Sequence, residues 1–336
     1  MRALRLNAFG LDNLALEALP DPTPGPGQVV VKMHAASLNF RDYLIAMGQY
    51  NPKLKLPITL CSDGAGEVVA VGAGVTRVKV GDRITPTFMQ GWIAGEPRRE
   101  FMFDSALGSP LDGVLTELML VSEQGVVRSP ANLTDLEAAT LPCAALTAWS
   151  AIVKFGQVKP GDTVLIQGTG GVALFALQFA KLVGARVIIT SKSDDKLARC
   201  KTMGADHTIN YATEPKWEKV AAELTQGRGV DHLVELGGAA TLNQSIRATR
   251  MGGTISLIGV LTGPVAQVQL PLILMQSMRI QGVTVGSRED HEAMVRAIEQ
   301  NDLKPVISHV YEFENAVEAV RALPQGEHFG KIAIRF

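Results

Sequence analysis

The chain has 336 residues, 46% hydrophobic and 19% charged, with a formal net charge of −1. That length exceeds the usual span of one core, so two domains are expected, and the composition leaves no room for a large disordered region. The near-zero charge argues against nucleic acid or an anionic membrane as partner, and no apolar run reaches the length of a membrane span.

The opening MRALRLNAFG lacks the apolar core of a signal peptide. Cys61, Cys143 and Cys200 are far apart, with no CxxC and no even-numbered framework. A reducing cytosol is the expected compartment.

To about Val121 the chain is rich in Gly, Pro and short β-branched runs. VVVKMHAASLN (29–39) and GEVVAVGAGV (66–75) read as strands with turns such as PGPGQ and VGDR between them, the pattern of a compact β-rich domain. At the exit of the first strand, SLNFRDYLIAMGQY gathers Asn39, Arg41, Asp42, Tyr43 and Tyr50. Polar residues clustered at a strand exit often serve a site, and Tyr50 would donate a hydrogen bond to a carbonyl gaining charge. The same stretch also suits a loop tied by its own Asn and Asp side chains. Phe88, Trp92 and Trp149 either line an apolar pocket or belong to the core.

From Asp135 the pattern changes. EAATLPCAALTAWSAIVKF has long apolar stretches at helical spacing, and TVLI, RVIIT, HTIN, HLVEL and TISLIG then alternate with helix patterns. Continuous apolar strands in such alternation predict a parallel sheet covered on both faces. With RIQGVTVG (279–286) they make six strands, a full Rossmann sheet. A helix follows over 288–300, with Met294, Val295 and Ile298 on one face, then ENAVEAVRAL and a closing strand GKIAIRF. These last segments are expected to return to the first domain.

After the strand TVLI, the run QGTGGVALFALQFAK carries Gly168, Thr169, Gly170, Gly171, Val172 and Ala173 into a helix. Strand, glycine turn and helix make the dinucleotide fingerprint in its required context. Gly168 permits the tight turn, Gly170 admits a pyrophosphate near the backbone, and Ala173 lets the helix pack closely. The phosphates would rest on free N–H groups at the positive end of that helix.

About twenty positions on, NAD-binding chains place an acidic residue on the ribose hydroxyls. Here Ser191 holds that place, with Lys192, Ser193 and Lys196 after it, which suits the 2′-phosphate of NADPH. Asp194, Asp195 and Lys196 also read as a solvated helix start capped by Ser193, and both roles can coexist.

Metal ligation is not expected. Six histidines, His34, His207, His232, His291, His309 and His328, lie scattered without ligand spacing, and Cys143 sits in an apolar pattern as a small hydrophobe. No GxSxG elbow is present, and hydride transfer needs no nucleophile.

Taken together, LNFRDYLIAMGQY, SDGAGEVVAVGAGV, VGDRI, PLDGVLTE, LPCAALTAWSAI, QGTGGVALFALQFAK, MGADHTINY and FGKIAI resemble the medium-chain dehydrogenase/reductase superfamily almost end to end. The narrower resemblance is to its zinc-independent NADPH:quinone oxidoreductase and enoyl reductase branch. It implies an α/β chain with a GroES-like β-rich catalytic domain at 1–125 and 287–336, and a Rossmann doubly wound parallel sheet binding NADPH at 126–286. Zinc-dependent relatives hold their metal by a cysteine, a histidine in Gly-His-Glu and a second cysteine. Here those places read Asn39, then Cys61, Ser62 and Asp63, then Cys143, and residues 88–115 lack the four cysteines of a structural zinc lobe.

The resemblance further implies Asn39, Asp42 and Tyr50 beside nicotinamide and substrate. It puts Lys196 and Tyr211 near the adenosine 2′-phosphate, and the Gly259 loop with Gly330 and Lys331 near the nicotinamide. It also implies a homodimer joined through the last Rossmann strand, whose alternating apolar edge needs covering.

The expected function is a metal-free, NADPH-dependent reductase transferring hydride to a quinone or an activated alkene such as an enone or enal. Two alternatives stay open: an alcohol or aldehyde dehydrogenase of the same superfamily, and a non-catalytic NADPH-binding sensor or structural protein.

Overall fold

Gln28–Leu38 is long enough to serve two partners along one edge. In the computed structural model, which describes Met1–Phe336, its first half pairs antiparallel with Leu118–Ser122 and its last residues with Lys331–Arg335. Its other edge carries Asp63–Val71, followed by Arg83–Pro86 and Val126–Arg128, while Ile307–Glu312 closes the far side. A smaller sheet of Leu14–Ala18, Arg2–Leu6 and Ile58–Thr59 belongs to the same unit. Val29, Val31, Leu38, Leu60, Val68, Ile84, Leu115 and Ile334 share one core, as the alternating pattern requires.

This β-rich unit comprises Met1–Leu146 and Val285–Phe336, and the second unit Thr147–Thr284. The C-terminal segments thus return to the first unit, but the chain leaves it at Leu146 rather than at 125. Pairing explains the later exit. Val126–Arg128 still bonds to Arg83–Pro86, and Asp135 then ion-pairs with Arg83 at 2.6 Å and lies 2.8 Å from His34 Nδ1.

The second unit is a six-stranded parallel sheet. Its spatial order is His207–Asn210, Arg186–Ser191, Thr163–Gln167, Val230–Glu235, Thr249–Leu257, Arg279–Gly282. Numbered by appearance that is 3-2-1-4-5-6, the doubly wound order with its switch point beside the first strand. Every residue of Thr163–Gln167 is buried, which is why its apolar run is continuous rather than alternating. The last strand is shorter than the predicted 279–286, because its neighbour ends at Leu257 and leaves nothing to pair with.

The apolar stretch after Thr140 is less regular than its spacing suggests. Leu141–Ala145 and Ser150–Lys154 are π-helical turns flanking the α-helical Leu146–Trp149. No helix in the structure is long and apolar enough to cross a membrane.

Candidate active site and dinucleotide site

The antiparallel register Ile332↔Leu38 places Lys331 beside the exit of Gln28–Leu38. Gly330 makes that approach possible: its φ is +88°, and a Cβ there would meet Val306 O at 2.3 Å. The buried Lys331 ammonium then donates to Leu38 O and Asn39 Oδ1, both at 2.6 Å. Asn39 also begins the helix Phe40–Ala46, and its backbone N–H donates to Asp42 Oδ2 at 2.8 Å. Asp42 is fully buried and holds the strand exit, the tied-loop role open in the sequence.

A second carboxylate closes the cluster. Asp63 accepts from Ser62 Oγ at 2.7 Å and from the Cys143 N–H at 3.0 Å. That N–H comes from the π-helical turn containing Pro142. Asn39 Nδ2 reaches Ser62 Oγ at 3.5 Å. Burial raises Asp63 above the ordinary carboxylate range, opposed by Lys331 and the hydrogen bonds. Burial likewise lifts Asp42 to about 6, with Arg41 pulling against it, and pushes the Cys143 thiol well up, with Asp63 adding to the effect.

Zinc does not fit this donor set. Asn39 Oδ1 and both Asp63 oxygens are already spent on internal donors and Ser62 is a hydroxyl, which leaves Cys143 as the one thiol at the three places zinc-dependent relatives use. No three His, Cys, Asp or Glu side chains gather in ligating geometry.

Tyr50 stands at the rim, half exposed, with its ring over the Arg41 guanidinium at 4.9 Å to the centroid. Phe88 covers Arg41 at 4.6 Å and is buried. Burial works against the Arg41 charge, but Tyr50 and Asp42 more than offset it, and its pKa is raised. Trp92 belongs to the core, donating through its indole N–H to Gly95 O, and Trp149 packs edge-on against Phe179.

In the second unit, Thr163–Gln167 ends at Gly168, whose φ of +77° turns the chain and whose N–H donates to Thr190 O at 2.8 Å. Gly170 precedes the helix Gly171–Leu182, and a Cβ at Gly168 or Gly170 would meet nothing within 4 Å. That open space borders the first, unsatisfied N–H groups of the helix, through Thr169, Gly171 and Val172, so the residues fit a dinucleotide diphosphate. Ala173 is completely buried, as close helix–sheet packing requires.

Ser191 ends its strand, accepting from the Ser193 N–H at 3.3 Å, and Ser193 Oγ caps Asp194–Thr202 through the Lys196 N–H at 3.4 Å. Tyr211 joins this tip because its N–H donates to Ser191 O at 3.1 Å. Ser191, exposed Lys192, Lys196 and Tyr211 therefore collect at the carboxyl ends of two adjacent strands.

One network was not singled out from the sequence. Glu235, fully buried at the end of Val230–Glu235, accepts through Oε1 from Gly237 N, Gly238 N and Thr241 Oγ1 at 2.6 to 2.8 Å. Its Oε2 takes Gln167 Nε2 at 2.9 Å and the Ser245 hydroxyl. The carboxylate ties the end of the first strand to the loop beside it. Gly259 joins the same assembly: its N–H donates to Glu235 O at 3.1 Å, and a Cβ would lie 2.0 Å from Leu236 O. The signal was legible in HLVELGG, where a carboxylate directly follows the apolar pair Leu233 and Val234 at the end of a buried strand and needs several donors.

A GroES-type β unit carrying a polar cluster, with a doubly wound sheet carrying a glycine turn, defines a two-unit dehydrogenase or reductase. The family model described as alcohol dehydrogenase GroES-like domain matches residues 25–131, and that described as zinc-binding dehydrogenase matches 171–300. A zinc-type alcohol dehydrogenase-like protein of Schizosaccharomyces pombe is 41% identical, covering 97% of this chain and 96% of its own length. The chain belongs to the medium-chain dehydrogenase/reductase superfamily and is an oxidoreductase of that group.

Two solved structures frame the question of cofactor. An NAD-dependent alcohol dehydrogenase superposes with a TM-score of 0.91 at 37% identity, covering 100% of both chains. A 2-octenoyl-CoA carboxylase reductase in complex with NADP and 2-octenoyl-CoA gives 0.88 at 26% identity, covering 99% of this chain and 87% of that one.

Proposed function

We propose that this protein is a metal-free, NADPH-dependent reductase acting on a quinone or on an activated alkene such as an enone or enal, in a reducing compartment. The observation that carries the reading is the Lys331–Asn39 hydrogen bond of 2.6 Å. The oxygen at a position where zinc-dependent relatives place a ligand is here committed to an ammonium. With Ser62 and Asp63 also satisfied internally, the polar cluster supplies fixed charge and hydrogen bonding.

NADPH, bound at the glycine turn, would supply the hydride. Gly168, Thr169, Gly170, Gly171 and Val172 would cradle the diphosphate, and Ser191, Lys192, Lys196 and Tyr211 would receive the 2′-phosphate. Absence of a carboxylate at Ser191 supports NADPH over NAD, as does the NADP-bound relative. Asn39 and Tyr50 orient the acceptor in this reading. The three free thiols, Cys61, Cys143 and Cys200, are consistent with the cytosol.

The test is direct. Purified protein with NADPH should consume nicotinamide absorbance with some member of a panel of quinones, enals and enones, and chelators should leave that rate unchanged. A second reading, an alcohol dehydrogenase, is favoured by the 37% identical NAD-dependent structure. It predicts alcohol oxidation with NAD and stoichiometric zinc by elemental analysis, with silence across the acceptor panel.

A further inference from the structure

Arg41 is a buried cation whose hydrogen bonds are only partly used. Nη1 donates to Leu107 O at 2.9 Å and lies 3.9 Å from Asp42 Oδ1. Nε and Nη2 are sealed from solvent and close no hydrogen bond of regular geometry, although the Tyr50 hydroxyl interacts with the guanidinium as an acceptor from the rim. These two atoms share one edge of the planar guanidinium, so their N–H bonds run nearly parallel, the spacing that a carboxylate matches with its two oxygens.

The surroundings keep that edge in place. Phe88 and Tyr50 stack against the guanidinium, and the Leu107 carbonyl pins its opposite side. Asp42 Oδ1, 3.9 Å from Nη1, makes no hydrogen bond and does not turn to the free edge. A buried charged donor pair left unmatched is costly, and an acceptor brought by a ligand would offset that cost. Of the two rings, Phe88 is buried and fixed, whereas Tyr50 is half exposed and can yield to an incoming group.

We propose that the Nε/Nη2 edge of Arg41, beneath Tyr50, is a binding subsite for a carboxylate carried by the acceptor. The acceptor is then an anionic molecule, with its carboxylate gripped at Arg41 and its apolar body against Phe88. A neutral quinone or simple enal would leave the fork unfilled. The inference rests on the reductase reading only for what the bound molecule undergoes; the subsite itself is a matter of binding.

The experiment is equilibrium binding to the full-length protein saturated with NADPH. Crotonate and benzoate are compared with crotonamide and benzamide, of nearly equal shape, and with inorganic phosphate. The expected result is at least tenfold tighter binding of each carboxylate than of its amide, abolished in R41M and reduced in R41K. Carboxylate should also move one arginine Nε–H resonance that is missing from the R41K spectrum. NADPH affinity and Tm, measured alongside, establish that both variants are folded. Equal affinity for acid and amide in the unmodified protein overturns the proposal even if R41M fails to fold. So does a preference that survives in R41M, or tighter binding of phosphate than of either carboxylate. Absence of turnover with every acceptor overturns the reductase reading while leaving these binding results as they stand.

Discussion

The Lys331 ammonium, almost fully buried, is held 2.6 Å from Asn39 Oδ1 although the two residues are 292 positions apart. The contact exists because Lys331–Arg335 returns antiparallel to Gln28–Leu38. It places one positive charge among the buried carboxyls of Asp42 and Asp63, where it acts on both.

Replacing Lys331 by Met removes that charge and strands Leu38 O and Asn39 Oδ1. The expected loss is about 3 kcal/mol, because a broken buried polar pair leaves its partners unsatisfied. Denaturant unfolding of K331M reads it, and K331R should recover part of the loss. An unchanged midpoint in K331M would show that the ammonium carries no structural load.

Two glycines near the expected cofactor separate binding from folding. Gly170→Ala puts a Cβ where nothing lies within 4 Å, whereas Gly259→Ala drives one to 2.0 Å from Leu236 O. G170A should keep the parent Tm but bind NADPH about tenfold more weakly, roughly 1.4 kcal/mol. G259A should instead lose about 1–3 kcal/mol of stability. Equal Tm losses in the two variants would contradict this division.

Stability should fall in acid through two histidines. Burial lowers both His232 and His291 to about 4 from 6.5. Between those values the unfolded chain binds more protons than the folded one, so stability rises with pH across the window and is lost as pH falls. Asp42, raised to about 6, runs the other way: it binds its proton more tightly when folded and costs stability as pH climbs from 3.8. Asp63, also raised by burial, acts in the same sense as Asp42, so the histidine contribution is read from a variant rather than from the net slope. His291, with neither ring nitrogen hydrogen-bonded, isolates one contribution. H291L should lose about 2 kcal/mol less than the parent between pH 8 and pH 5, read by unfolding at both.

Pairing between copies is proposed along Arg279–Gly282. This strand bonds only to Thr249–Leu257 and ends the parallel sheet, and the neighbouring Leu270, Leu274 and Met275 are each more than two-thirds exposed. Covering such an edge with a second copy satisfies its backbone and its apolar surface together. Sedimentation at micromolar concentration should show a dimer, and L274E should shift it toward monomer; a monomeric parent protein excludes the pairing.

Much of this was legible in the linear chain, because local chemistry dictated it. The apolar run before Gly168 and the helix after it announce a buried strand, a turn at positive φ and a close-packed helix, all within one short segment. Ser193 capped its helix as its residue type predicts. The helix Arg288–Gln300 formed at the expected bounds, with Ser287 and Asp290 reciprocally capping its start.

What only the tertiary structure decided were contacts between distant residues, on which local preference is silent. The last strand stopped at Gly282 because its neighbour ran out, not because its residues changed character. The first unit kept residues beyond 125 because the strand Arg83–Pro86, far back in the chain, pairs with Val126–Arg128 and its Arg83 ion-pairs with Asp135. Lys331 became part of the polar cluster through strand register, and Arg41 was left with an unmatched edge by the Leu107 carbonyl and two aromatic rings. The residues were visible in the sequence as charges; their partners were set by which strands and loops the fold brought together.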